Sequence, residues 1–235
     1  VSSFAIVRYN SDGTLDTSFS SDGKLAVSAG YETQYLQAIK VQSDGMIIAA
    51  GYGYTSGVTN HDMVLMRFDS NGVLDAGFGQ NGIATYDDGG GVETGRALAI
   101  QPDGKMLVVG SSSGYASLFR FNVNGTLDTS FGSGGKQILA VGPWDYGDNL
   151  SILPSGKILV AGNRYNGVTS SDIAVARYNP DGSLDATFGD AGITTLSISS
   201  TADSASALRV LPDGRFVIVG GRYSDQWHRT HLLNP

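Results

Sequence analysis

Short apolar segments separated by turns rich in Gly, Asn and Asp follow one another along the whole chain. The segment FAIVRYN at 4–10 returns as MVLMRFD at 63–69, ASLFRFN at 116–122 and IAVARYN at 173–179. Each copy is followed by an Asp-Gly or Asn-Gly pair, which tolerates the positive φ angles of a tight hairpin turn. The pattern predicts strands joined by hairpins, and no long segment has the apolar spacing of an amphipathic helix.

A second hairpin follows in every copy of the repeat. It appears as IKVQSDGMIIAAG at 39–51, LAIQPDGKMLVVG at 98–110, LSILPSGKILVAG at 150–162 and LRVLPDGRFVIVG at 208–220. Where Pro precedes the turn it presets φ, and the Gly supplies the left-handed residue. A further short strand fits between the two halves, as in KLAVSA at 24–29 and KQILAV at 136–141. Each unit therefore contains about four strands.

A tandem unit of four antiparallel strands predicts an all-β fold, a β-propeller built of four-stranded blades. We divide the chain, as one repeat domain over residues 1–235, into units of approximately 1–60, 61–115, 116–170 and 171–228, with a partial unit at 229–235 that holds the first strand of a fifth repeat. Four full units and this extra strand fit either a closed four-bladed ring or part of a larger ring. Self-association that completes a ring is therefore one expectation.

The composition narrows the range of partners. A net charge of −7, without clustered Lys and Arg, argues against nucleic-acid binding, because such binding neutralises backbone phosphates. The chain has no Cys, so disulfides and thiolate chemistry are excluded. Apolar runs such as MIIAAG are too short to span a membrane.

The repeated phrase also resembles a known family. The segments RYNPDGSLDATFGDAGI at 177–193 and ALRVLPDGRFVIVGG at 207–221 are similar to the Delta-60 repeat, which occurs in tandem in large bacterial surface and secreted proteins. The resemblance covers nearly the whole chain and implies a β-propeller-like array in the extracellular space or on the bacterial cell surface, without a common enzymatic activity. Two positions depart from the pattern, since Ser155 replaces the Asp of the third PDG turn and Leu232 stands where a fifth strand would have Arg.

An Arg and an Asp recur eight residues apart in each unit. The hairpin between them can fold the carboxylate back onto the guanidinium, which predicts a structural ion pair rather than catalysis repeated four times. The pairs are Arg8 with Asp16, Arg67 with Asp75, Arg120 with Asp128, and Arg177 with Asp185.

The turns of the NSDGTLD type offer side-chain oxygens of the kind that Ca²⁺ accepts. They lack the terminal Glu of an EF-hand loop, and Asx side chains that cap their own turn explain the same residues. No cofactor is expected, and Ca²⁺ remains the alternative for these loops.

A serine hydrolase is the alternative to a binding protein. The segment GSSSG at 110–114 follows an apolar strand and matches the G-x-S-x-G pattern with Ser112 at its centre. The following segment YASLFRF predicts a strand, whereas a nucleophile elbow enters a helix. The base would come from His228 or His231 of the segment HRTH, or from His61, and no spacing connects any of them to Ser112.

Aromatic residues are concentrated in the connectors, where the repeat is least regular. Rings held on one side of a rigid scaffold are suited to stacking on a sugar or anchoring a protein partner, although they can also shield the blade edges. We therefore predict a non-enzymatic recognition or adhesion module, or a scaffold, whose protein or glycan ligand contacts Tyr52, Tyr54, Tyr115, Trp144, Tyr165, Tyr223 and Trp227.

Overall fold

The computed structural model describes residues 2–57, 60–89, 91–139, 146–165, 171–198 and 202–222. This part of the chain contains strands and turns without helix, as the sequence predicts. The strands are β1 (Phe4–Val7), β2 (Lys24–Val27), β3 (Thr33–Val41), β4 (Ile47–Tyr54), β5 (Asp62–Phe68), β6 (Ile83–Tyr86), β7 (Thr94–Ile100), β8 (Met106–Ser112), β9 (Tyr115–Phe121), β10 (Lys136–Ile138), β11 (Tyr146–Ile152), β12 (Ile158–Tyr165), β13 (Ser171–Tyr178), β14 (Ile193–Leu196), β15 (Asp203–Val210) and β16 (Phe216–Arg222).

Five antiparallel sheets succeed one another along the chain. Three are four-stranded and consist of β3 to β6, β7 to β10 and β11 to β14, while β1–β2 and β15–β16 are two-stranded sheets. The prediction of antiparallel four-stranded sheets is confirmed. The sheets are offset from the sequence repeat by half a unit, because the second hairpin of each repeat joins the first two strands of the next repeat. The predicted fifth strand at 229–235 lies outside the described residues.

Side chains from facing sheets form the cores between the blades. One core combines Ile48, Ala50 and Leu65 of the first complete sheet with Met106 and Val108 of the second. Leu107 and Leu118, on the opposite face of that second sheet, pack with Ile158 and Val160 of the third. The central strands are therefore apolar on both faces, as their continuous apolar segments predict.

The turns between the sheets close through their own side chains. In the first copy, Gly13 adopts a φ of 86°, and Oδ1 of Asp12 accepts hydrogen bonds from Thr14 N at 2.9 Å and Thr14 Oγ1 at 2.6 Å. Asn124 and Asp181 make the same bonds in the third and fourth copies. The oxygens considered for Ca²⁺ thus cap their own turns.

The recurrent Arg and Asp side chains lie together in all four copies. Arg120 Nε donates to Asp128 Oδ2 at 2.7 Å, and the equivalent distances are 2.8 Å for Arg8 with Asp16 and 2.6 Å for Arg177 with Asp185. Arg67 bonds Asp75 in the same way at 2.6 Å. Each guanidinium also lies over the Phe ring of its own repeat, 4.6 to 4.9 Å from the ring centre in all four copies. The pairs are part of the scaffold.

A β-bulge occurs in the first strand of every complete sheet and in β15. The register shifts between Leu36 and Ala38 and between Gly95 and Ala97, with equivalent shifts in β11 and β15. The bulge presses a carbonyl oxygen against a Gly of the neighbouring strand, as Thr94 does on Gly110. This close approach explains why the second hairpin of each repeat ends in Gly.

Membrane-spanning helices were sought in the described residues, and none long and apolar enough to cross a bilayer was found.

Candidate functional site

One end of the sheets collects most of the described residues that do not follow the repeat. Strand β4 ends there, β5 begins there, and the connector from β6 to β7 returns to the same end. We call the segments 30–35, 52–57, 60–62, 86–89, 91–94 and 111–115 the connector face. His61 forms a bridge to Val92, and its carbonyl accepts a 2.7 Å bond from Glu93 N, so that two connectors are joined.

An array of four rings lies on the connector face. Tyr35 and Tyr52 are cross-strand neighbours with ring centres 5.3 Å apart. His61 stacks on Tyr52 at 5.5 Å and on Tyr54 at 4.5 Å, with interplanar angles of 6° and 16°. Tyr35 is 45% exposed, and the other three rings are half-buried. The rings are therefore held in fixed positions while part of their surface remains open to solvent.

The structure gives Tyr52 and Tyr54 a different setting from the one predicted. They belong to strand β4 rather than to a loop, and their alternation along the strand places both on one face. Sequence reasoning missed Tyr35 and did not assign His61 to the array, because their contacts arise only through strand pairing.

The other predicted aromatic residues are not brought into this array. Tyr115 begins β9 and is 48% exposed. Tyr165 ends β12, although its side chain is outside the described part of the structure. Trp144, Tyr223 and Trp227 lie outside the described residues.

An acidic group lies beside the array. Oxygens of Asp62, Asp87 and Glu93 lie within 4.8 Å of one another, an arrangement that could hold a metal ion. Tyr31 donates a 2.7 Å hydrogen bond to Asp62 Oδ2, whereas the buried Oδ1 of Asp62 has no hydrogen-bond partner. Burial and the Asp62 carboxylate raise the pKa of Tyr31 above its ordinary value. Sequence reasoning missed this group because its members are far apart in the chain.

Ser112 is the buried member of a partly exposed polar network next to this group. The side chain of Ser112 is 2% exposed, and its hydroxyl donates to Asp88 Oδ2 at 2.5 Å. Lys136 Nζ donates to Ser112 Oγ at 3.0 Å and to Asp88 Oδ2 at 2.8 Å. Burial alone would raise the pKa of Asp88, but the Lys136 ammonium and the Ser112 hydroxyl hold it well below its usual range.

The surroundings of Ser112 differ from those of a serine nucleophile. Strand β8 passes through a two-residue turn directly into β9, so Ser112 lies in a hairpin rather than at a strand-to-helix elbow. Burial alone would lower the pKa of Lys136, but the Asp88 carboxylate raises it above its ordinary value. Lys136 therefore keeps its proton and is a poor general base. The one described histidine, His61, stacks with tyrosines, and His228 and His231 lie outside the described residues.

The buried Glu93 carboxyl adds a pH response. Burial, followed by the neighbouring Asp88 carboxylate, raises the pKa of Glu93 to about 7, compared with 4.5 ordinarily. Between these values the folded chain retains a proton that the unfolded chain releases, so stability falls as the pH rises. We therefore expect Glu93→Gln to gain stability relative to the unmodified protein between pH 5 and pH 8, measured by urea unfolding.

The exposed Glu32 is a matched control for this measurement. Hydrogen bonds from Ser56 lower the pKa of Glu32. Glu32 is therefore predominantly ionised in both the folded and the unfolded chain from pH 5 to pH 8. Glu32→Gln should therefore shift stability equally at both pH values. A constant difference between Glu93→Gln and the unmodified protein would contradict the assignment.

The site chemistry changes from sheet to sheet at equivalent positions. The pair Tyr35 and Tyr52 is replaced by Thr94 and Ser111 in the next sheet, where the two hydroxyls lie 2.8 Å apart. The last sheet has Ser204 and Gly221 at these positions. Residues that hold the blades recur in every copy, whereas this surface differs between copies, as expected for a surface that contacts something else.

Two of the solved structures that match this chain cover most of its length. One, provisionally described as a gluconolactonase, is 17% identical with a TM-score of 0.46, and the match covers 84% of this chain and 60% of that one. The other, a protein of unknown function from Bacteroides caccae, is 12% identical with a TM-score of 0.33. That match covers 81% of this chain and 79% of the other. This chain therefore spans about three fifths of the first structure. No curated protein matches the chain.

The strongest comparison is with a family of repeats. The model of the family described as "Domain of unknown function (DUF5122) beta-propeller" matches residues 1–19, 42–78, 101–131 and 153–188. The matched segments amount to more than half of the chain and contain all four copies of the phrase. The prediction of a tandem propeller-type repeat is confirmed, and the chain belongs to the DUF5122 beta-propeller family.

Proposed function

We propose that this protein is a non-enzymatic recognition module of the Delta-60 type, located outside the cell or on the bacterial cell surface. Its ligand contacts the connector face. The observation that carries this proposal is the array of Tyr35, Tyr52, Tyr54 and His61, in which neighbouring rings are held in place by strand pairing and stacking. Rigid aromatic rings contribute contact area at a low cost in conformational entropy.

A carbohydrate is the ligand class that fits this face best, with a protein as the alternative that the experiment distinguishes. The flat rings offer stacking surfaces for the apolar face of a sugar, while the exposed Asp87 offers carboxylate oxygens to its hydroxyl groups. The net charge of −7 favours neutral or cationic ligands over anionic ones.

The test is a glycan array followed by titration of the strongest binder. Replacing Tyr35 by Ala should weaken binding about fivefold, since one aromatic contact contributes roughly 1 kcal/mol. Tyr35 is exposed, so its removal should leave the unfolding transition unchanged. Tyr9→Ala is the control, because Tyr9 is 62% exposed in the turn after β1, at the other end of the sheets.

Three outcomes separate the possibilities. Loss of glycan binding with Tyr35→Ala but not with Tyr9→Ala supports the proposal. An array without any binder, or unchanged binding by Tyr35→Ala, contradicts the carbohydrate proposal. A protein captured through the same ring would leave the connector face as the site and change the ligand class.

A further inference from the structure

The four copies of the repeat are joined by a contact that occurs three times. A Phe ring of one copy lies on the turn Gly of the next, at 2.9 Å from the position of a Cβ atom on Gly72, Gly125 and Gly182. Beside it, the copy's Arg donates to a carbonyl in the same turn, as Arg120 does to Pro180 at 2.7 Å. A backbone N–H adds a second hydrogen bond, from Gly132 to the carbonyl of Asp181 at 3.0 Å.

The first turn Gly and the last Phe of the described repeats do not make this contact. The turn of the first copy has nothing within 4 Å of a Cβ atom built on Gly13. At the other end, Phe188 is only half-buried, whereas Phe19, Phe78 and Phe131 are fully buried. In the described residues Arg177 forms hydrogen bonds within its own copy, to Asp185 and Thr187. Phe188 and Gly13 are therefore complementary halves of the contact.

The two-stranded sheets are complementary in the same way. Strands β15 and β16 carry the same bulge and Asp-Gly turn as β3 and β4, so they are the inner half of a blade. Strands β1 and β2 carry the RYN phrase and pair like β5 and β6, so they are the outer half. Placed side by side, β15–β16 and β1–β2 would form one complete four-stranded blade.

Exposed apolar residues lie on both half-blades. On β16, Val217 and Val219 are 50% and 58% exposed, while the equivalent Ile48 and Ala50 of β4 are fully buried. On the other half-blade, Val7 and Tyr9 are 45% and 62% exposed, while the equivalent Met66 and Phe68 are fully buried. Such edges of apolar strands pair readily with another strand.

Clefts lie beside both open edges. A cleft of about 350 Å³ next to β16 is lined by apolar side chains that include Val175, Leu196 and Ile218. A cleft of about 320 Å³ next to β1 lies between Val7 of that strand and Ile39 of β3. Ile39 is 50% exposed, whereas the equivalent Leu98 is 3% exposed. Each cleft occupies the position of the strand that the half-blade lacks.

We propose that a second copy of this chain fills these positions, so that β16 of one copy pairs with β1 of the next. The register follows from β4 and β5, where Ile47 faces Phe68 and Ala49 faces Met66. By equivalence, Phe216 faces Tyr9 and Ile218 faces Val7 of the second copy. The same docking brings Phe188 onto Gly13. Among the described residues of one chain, β1 pairs only with β2 and β16 only with β15, so neither of the two edges is paired there.

The contact is head-to-tail, because the surface at β16 differs from the surface at β1. An interface of this kind closes into a ring if the rotation between copies allows it, and otherwise continues as a filament. Each hybrid blade would contain two strands from one copy and two from the next. The interface would continue the packing already present between the complete sheets.

Cysteine pairing tests the register directly, because the chain has no Cys of its own. One variant carries Val7→Cys and a second carries Ile218→Cys, and the two are mixed and oxidised with copper phenanthroline. Facing residues of a hydrogen-bonded antiparallel pair are about 5.5 Å apart between Cα atoms, within the range of a disulfide. We expect a disulfide-linked heterodimer to form much faster than in a mixture of Ile218→Cys with Val73→Cys, a 63% exposed control.

A double variant with both cysteines distinguishes the two ways of closing the blade. Dimers or larger species after oxidation support a second copy. A disulfide formed within a monomer, or no disulfide above the control level, overturns the proposal. Neither variant alters a residue of the aromatic array, so the outcome is independent of the proposed recognition function.

Light scattering provides a second measurement on the unmodified sequence. The protein should form dimers or larger species with rising concentration, and Val219→Lys should return it to monomers. Val219 is exposed in the single chain, so this substitution should not affect its folding, and Val73→Lys is the matched control. A monomer at all concentrations, or an unchanged mass with Val219→Lys, contradicts the proposal.

Discussion

Replacement of Asp128 by Ala should lower the free energy of unfolding by about 3 to 5 kcal/mol, the range for breaking a buried ion pair from one side. The Asp128 carboxylate accepts bonds from Arg120 at 2.7 Å and from Lys105 at 2.8 Å. Arg120 is 9% exposed and Asp128 is 6% exposed, so water cannot replace the lost carboxylate. Urea unfolding at pH 7 measures the loss.

The pair Arg215 and Asp213 provides the matched control. Its side chains are 79% and 51% exposed, so Asp213→Ala should leave the free energy of unfolding nearly unchanged. A loss below about 1 kcal/mol for Asp128→Ala as well would show that stability does not depend on the buried pair of Arg120 and Asp128.

Acid should weaken the interaction of Asp128 with Arg120 and Lys105. Burial alone would raise the pKa of Asp128. Its bonds to Lys105 and Ser130 and the charge of Arg120 outweigh burial and hold this pKa well below its ordinary value of 3.8. The folded state therefore binds this proton less readily than the unfolded state does. The contribution of Asp128 to stability is complete above pH 3.8 and decreases as the pH falls below it.

Replacement of Gly110 by Ala should cost about 3 kcal/mol or more, at or beyond the upper range for overpacking a core. A Cβ atom on Gly110 would overlap the carbonyl oxygen of Thr94, which the bulge in β7 pushes towards it. The obstacle is backbone, so no side-chain rotation relieves it. Thermal unfolding should show a correspondingly lower midpoint.

Gly77 is the matched control for this prediction. A Cβ atom there meets only the side-chain oxygen of Asp75, at 3.3 Å. The equivalent residues Ser18 and Ser130 donate to their own Asp at 2.6 Å. Gly77→Ser should therefore leave stability unchanged or raise it by about 1 kcal/mol. If Gly110→Ala were equally well tolerated, the bulge would not be the reason for this Gly.

Much of the candidate site was beyond the reach of sequence reasoning. Tyr52 and Tyr54 were predicted as ligand contacts, but Tyr35 and the acidic residues Asp62, Asp87 and Glu93 were not. Local patterns record neighbours in the chain, whereas this site is assembled from the start of one strand, the end of another and a connector between sheets.

The sequence by itself determined the strands, the turns and their repetition, because alternation and the Asn-Gly or Asp-Gly pairs act within a few residues of one another. It also placed each Arg near its Asp, since one short hairpin joins them. Only the tertiary structure decided that a blade takes two strands from each of two successive copies. Which side chains meet across the sheets, and which apolar edges remain open at the two ends, depends on packing between residues far apart in the chain.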